Sequence, residues 1–232
     1  MHAIWSNVLS MLKNDEAVSA RFTDRLRQST EPYWTQAVTH RLVREIYTGT
    51  ASKDVMTRYL VQDHRFIDCF LSLLGGALVN CDRMDAKLTL GRFIGMISND
   101  ENSYFERAFE TLKVDDATRF DTPDAATTTG FKALMLEAAK SGSYAVCLSV
   151  LTVAEWLYLD WADKAPKPLP ENFVFAEWII LHDNPYFVEF VSFLRSELDR
   201  VGPAAASKCE DFFRRAVELE KAFFDAAYEA GT

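Results

Sequence analysis

Residues 144–162 read YAVCLSVLTVAEWLYLDWA, and only Glu155 and Asp160 among them carry a charge. As a helix the stretch spans roughly 28 Å at about 1.5 Å per residue. A helix that is apolar on every side belongs inside a protein, so this one is expected to be a central rod with other helices packed around it. Its length is also near that of a membrane span. The two acids, and the amphipathic segments on both sides, favour the buried helix of a soluble bundle. An acid on such a rod is costly unless it is paired, hydrogen-bonded or protonated. Glu155 therefore faces a wet seam, bonds a neighbouring helix or serves a site.

After the rod, KAPKPLPEN at 164–172 is a rigid, Pro-rich connector. Helices are predicted over 173–182 and 186–201, broken by Asp183-Asn184-Pro185, and a closing helix over 204–230 follows Gly202-Pro203. That last helix sets Phe212, Ala216, Phe223 and Ala227 along one side, with Glu220 inside the same stripe. Before the rod, a helix over 127–140 ends at Ser141-Gly142-Ser143, and 115–126 is a polar connection. A long helix over 86–114 is expected to carry its acids on its outer face, and 80–85 is a turn. In the helix over 55–74, Tyr59, Phe66, Phe70 and Leu73 form an apolar stripe. Asp63 falls within it, four residues after Tyr59 and three before Phe66, and so should face the core. Ser52 caps that helix, and Gly49 ends an earlier one that starts at Ser29-Thr30 with Pro32 in its first turn. Short helices over 4–12 and from Ala17 complete the chain. No repeat, β alternation or long linker interrupts it. The expected architecture is all-α, one domain over 1–232.

Seventeen Phe, eight Tyr and five Trp supply a large core, and the net charge of −9 opposes a nucleic-acid or anionic-membrane partner. Cys69, Cys81, Cys147 and Cys209 stand far apart without a CxxC pair, which reads as free thiols in a reducing compartment. The N-terminus lacks a charged leader and a small-residue cleavage site. The expected location is cytoplasmic.

Asp63, Glu155 and Glu220 thus sit on apolar faces of three helices, a pattern that points to a polar pocket inside a bundle. A di-metal site would call for Glu-x-x-His pairs. None of His2, His40, His64 and His182 stands three after a Glu, and His64 lies about 100° around the helix from Asp63, so no metal and no cofactor is expected. A nitrogen heterocycle fits better. A carboxylate accepts paired N–H bonds from an amino-substituted ring, aromatics sandwich it, and a second carboxyl with a raised pKa moves a proton. Nucleophilic catalysis would need an activated Cys, Ser or Lys, and Cys147 on the rod reads as a buried structural thiol.

Pro32-Tyr33-Trp34, His40, Val43, Ile46 and Gly49-Thr50, leading into Tyr59-Leu60-Val61-Gln62-Asp63, resemble the N-terminal half of the TenA (thiaminase II) family. The likeness continues in 154–160 and in 218–228, and covers most of the chain. It implies a haem-oxygenase-like fold assembled as a homo-oligomer, tetramer or dimer. It also implies hydrolysis of a small-molecule substrate, 4-amino-5-aminomethyl-2-methylpyrimidine, to the hydroxymethylpyrimidine and ammonia in thiamin salvage. By the same resemblance Asp63 holds the pyrimidine, Glu220 is the acid/base group, and Phe66, Phe131, Tyr158 and His182 line the substrate site. The family's nucleophilic Cys corresponds to Ala154, so the chain resembles the Cys-lacking branch, and Glu155 is expected to join Glu220 as a carboxylate pair. With Asp63 charged, Asp63→Asn would leave a mismatched contact worth about 1–3 kcal/mol. An oxidase or oxygenase like PqqC or the di-iron members of the same fold, and a pyrimidine-binding regulator without catalysis, remain the alternatives.

Overall fold

The computed structural model describes residues 21–229. The helix expected over 4–12, the start expected at Ala17 and the end expected at Ala230 lie outside the described residues. Within them the chain is helical throughout: α1 (Phe22–Ser29), α2 (Tyr33–Val38), α3 (Arg41–Thr48), α4 (Lys53–His64), α5 (Phe66–Asn80), α6 (Met84–Met96), α7 (Asn102–Leu112), α8 (Ala126–Lys140), α9 (Tyr144–Ala162), α10 (Phe173–His182), α11 (Pro185–Val201) and α12 (Ala206–Ala226).

The stretch that opened the sequence reading is α9, with the expected bounds, and Ser143 caps it by accepting the Val146 N–H at 3.3 Å. All its residues except Ala154 and Leu159 are buried. It packs against α2, α5, α8, α10, α11 and α12. By length and hydropathy α9 would pass for a membrane span, but 89% of its apolar window is buried inside the bundle. Each of its fully buried Leu and Val side chains contributes about 1.5–3 kcal/mol of transfer free energy. Asp160 is the structural one of the rod's two acids. Its Oδ2 accepts the Trp34 indole N–H at 2.6 Å and meets Arg27 at 2.8 Å, while Lys164 holds Oδ1. A buried carboxylate needs such pairing, because an unpartnered one costs several kcal/mol.

Three expected helices are interrupted. The one expected to end at Gly49 is two, α2 and α3, because His40 caps α3: its Nδ1 accepts the Leu42 N–H at 3.0 Å, while Nε2 meets Asp225 at 3.1 Å. The helix over 55–74 breaks at Arg65, whose guanidinium reaches Asp124 at 2.9 Å and the Arg119 carbonyl at 2.8 Å. Gln62 adds to that tether, donating to the Pro123 carbonyl at 3.0 Å and accepting the Ala125 N–H at 2.9 Å. The long helix over 86–114 is α6 and α7 joined by a π-turn at Ile97–Glu101, and it ends at Lys113 in the left-handed region at φ 52°. A second π-turn, Ala117–Asp121, lies in the polar connection. Single π-turns interrupt helices most often near functional sites.

Helices α5 and α8 touch at Gly76, where a Cβ would fall 2.8 Å from the Ala139 Cα. Only a residue without a side chain allows that approach.

Candidate active site

A cavity of about 70 Å³ opens between α4, α5, α8, α9, α10 and α12. That is on the order of five water-sized spheres, the scale of one small substituted ring. All seven residues singled out from the sequence line it: Asp63, Phe66, Phe131, Glu155, Tyr158, His182 and Glu220. Glu155 and its neighbour Ala154 both reach the cavity, although they stand about 100° apart on the helix.

The walls are aromatic. Phe66 meets Phe131 edge-on at 5.4 Å and Phe223 at 4.9 Å. Tyr158 and His182 lie 4.7 Å apart, and Trp178 closes on His182 at 4.5 Å. Hydrogen bonds fix the polar tips. The Trp178 indole can only donate, so at 3.2 Å the Tyr59 oxygen accepts. The Tyr59 and Tyr158 hydroxyls share a hydrogen bond of 2.8 Å, in which either oxygen can donate. His182 Nδ1 lies 2.8 Å from the Trp178 carbonyl and must donate to it, leaving Nε2 as a bare acceptor. Burial lowers the His182 pKa to about 4, so the ring is neutral.

The electrostatics are one-sided. Among the described residues no Lys or Arg lines the cavity, and no cavity carboxyl is hydrogen-bonded to a described side chain or backbone group. Burial, then the charge of Glu101, holds the Asp63 carboxyl well above the usual carboxylate range. Burial, then Glu101, Glu220 and Asp63, does the same to Glu155. Glu220 is raised by burial and by Asp63, and it is only 3% exposed. Burial thus favours the neutral form of all three carboxyls. A neutral carboxyl presents one O–H donor and one carbonyl acceptor. That pair matches the ring nitrogen and exocyclic amino group of an aminopyrimidine.

Glu101 was missed in the sequence and belongs to this set. It lines the cavity from the π-turn, and burial raises its pKa to about 7. The signal was available, since Glu101 stands four residues after buried Ile97 and three before buried Tyr104. That is the spacing that singled out Asp63. The acids of the expected helix are therefore not all on its outer face: Ser98, Asn99 and Asp100 are exposed, while Ile97 and Glu101 point inward.

Cys147 is not part of the site. Its thiol donates to the Ala138 carbonyl at 3.2 Å, and burial pushes it up to about 11. Cys69, Cys81 and Cys209 are buried as well. Among the described residues, three potential ligand atoms come within 4.8 Å of one another at Cys81, Asp82 and Glu197. Arg200 and Arg83 already pair the two acids there.

The all-α bundle has the haem-oxygenase-like fold, which it shares with solved TenA structures. A TenA homologue from P. horikoshii OT3 superposes with a TM-score of 0.80 at 19% identity, over 90% of this chain and 99% of that one. A TenA homologue from Pyrococcus furiosus does so with 0.79 at 20% identity, over 89% and 100%. Residues 27–230 match the model of the TENA/THI-4/PQQC family, and the chain belongs to that family. The aminopyrimidine aminohydrolase of Bacillus subtilis (strain 168) is 24% identical over 90% of this chain and 86% of its own. That of Helicobacter pylori is 22% identical over 88% and 97%.

Proposed function

We propose that the protein is a hydrolase of the aminopyrimidine aminohydrolase type, releasing ammonia from 4-amino-5-aminomethyl-2-methylpyrimidine without a nucleophilic cysteine. The observation that carries this reading is the convergence of Asp63, Glu155 and Glu220 with the ring-sized aromatic walls in one cavity whose described lining has no Lys or Arg. The names of the relatives from B. subtilis and H. pylori point the same way.

Asp63 grips the ring nitrogen and the 4-amino group. Phe66 and Phe131 wall the ring on one side and Tyr158 on the other, with the Tyr158 hydroxyl and His182 Nε2 left to meet polar edges. Ala154 takes the place of the missing thiol with a methyl group, which can form no covalent adduct. Proton transfer therefore falls to Glu155 and Glu220, one charged to activate water and one protonated to release the amine. Separate Glu155→Gln and Glu220→Gln variants test the assignment by ammonia release. Each should lose on the order of 10²-fold or more in kcat. Full turnover by either rejects the pair, and tight pyrimidine binding without ammonia release by the native protein identifies a binding protein instead.

A further inference from the structure

Asp63 stands one residue from the end of α4, and its carboxyl lines the central cavity. The side chains beside it are tied to other parts of the chain. Gln62 uses both ends of its amide, donating to the Pro123 carbonyl at 3.0 Å and accepting the Ala125 N–H at 2.9 Å. A methionine of similar length could make neither bond, and an ionised glutamate only the second. On the other side His64 pairs with Asn102 at 3.2 Å, and Arg65 reaches the Arg119 carbonyl at 2.8 Å.

Between the two backbone groups that Gln62 holds lies Asp124. One of its oxygens meets Arg65 at 2.9 Å and the other meets Lys132 on α8 at 2.9 Å. Gln62 directly precedes Asp63, and Lys132 directly follows Phe131. Residues 123–125 thus join the chain neighbours of two side chains that line the cavity from different helices.

That link spans a gap. A second cavity, of about 390 Å³, separates α4 from the connection, with Thr57, Arg58 and Val61 on one side and Thr118, Thr122 and Pro123 on the other. Apolar packing therefore does not set how far the end of α4 stands from the connection at this place. The polar bonds of Gln62 and Arg65 do.

We propose that Gln62 is a positioning residue: by gripping residues 123–125, which Lys132 anchors to α8, it fixes the Asp63 carboxyl at the separation from Phe131 that a pyrimidine ring needs. The inference rests on the function proposed above, since it takes Asp63 as the group that grips the ring. A carboxyl without a hydrogen bond of its own is placed only by the backbone that carries it, and small misplacements of such a group are costly.

The test is a double-mutant cycle read by calorimetric titration with 4-amino-2,5-dimethylpyrimidine, which keeps the ring nitrogen and the 4-amino group but has no amine to lose. Gln62→Met keeps the length of the side chain and removes both bonds. It should weaken binding on the order of tenfold in the native background and less than about twofold in the Asp63→Leu background, where the group it positions is gone. Lys132→Met releases the same link from α8 and should show the same pattern. Equal losses in both backgrounds overturn the proposal, because Gln62 then supports the fold as a whole rather than Asp63. Unchanged binding by Gln62→Met in the native background overturns it as well. If the cycle behaves as stated but the native protein releases no ammonia from 4-amino-5-aminomethyl-2-methylpyrimidine, the proposed reaction fails and the positioning role stands. A native protein that does not bind the dimethylpyrimidine overturns both.

Discussion

Asp63 meets two demands at once, since it must hold a polar ring and must also survive burial beside other acids. Read from the sequence as a carboxylate, it would be mismatched by an amide. In the folded protein burial and Glu101 favour its neutral form, and an amide reproduces the donor and acceptor of a neutral carboxyl. Asp63→Asn should therefore keep KM within a few-fold. Asp63→Leu removes both hydrogen bonds and should weaken binding by about 1–3 kcal/mol. Substrate titration of the two variants separates the cases, and equal weakening in both marks Asp63 as bound in its anionic form. At this scale the sequence was informative wherever an acid interrupted an apolar stripe, as at Asp63 and Glu220. Glu101 obeys the same spacing but lies in the polar run Ser98-Asn99-Asp100-Glu101-Asn102, whose composition suggests an outer face.

Helix limits set by Ser, Asn, Gly or Pro were legible. The rod and α10 have the expected bounds, and Asn184 starts α11 by accepting the Phe187 N–H at 3.0 Å. The breaks at His40 and at Arg65 carry no such residue, and in the Ile97–Glu101 π-turn Ser98 and Asn99 donate back to the Ile94 and Gly95 carbonyls instead of capping a helix. These breaks depend on partners distant in sequence or on a locally widened turn, which periodicity does not reveal. The contact between α5 and α8 is of the same kind. Phe66 and Phe131 stand on these two helices and meet across the cavity wall, while the helices close together at Gly76. A methyl there meets backbone, not a flexible side chain, so Gly76→Ala should cost about 1–3 kcal/mol. It should also raise KM by loosening the aromatic wall. A urea midpoint and a substrate titration measure the two effects, and a variant of native stability would show that the helices separate freely.

Across the described molecule two sets of acids have opposite pH behaviour. Arginine partners hold Asp82, Asp85 and Glu137 below the usual carboxylate range. Their contribution is present above the unfolded pKa and is lost as the pH falls through the folded one. The cavity acids run the other way. Glu101 titrates near 4.5 when unfolded and at about 7 when folded, so the folded state binds more protons between those values. Its contribution is full below about 4.5 and is lost as the pH rises to about 7. Asp63, Glu155 and Glu220 shift in the same direction. Replacing one of them by an amide should thus stabilise the fold at alkaline pH, the usual exchange between stability and activity at a site. Glu220→Gln is expected to unfold a few degrees above the native protein at pH 8 (about 2–4 °C per kcal/mol). The difference should shrink toward pH 5, as thermal scans at both values would show. A constant difference would mean that the Glu220 pKa does not change on folding.

The sealed thiols bear on inhibition. Every cysteine is packed away, and Ala154 presents a methyl group inside the cavity. Electrophilic warheads that capture sulfur find nothing there to alkylate. A blocker of this molecule has to be reversible, flat and cationic, held by the field of its acids rather than by a bond.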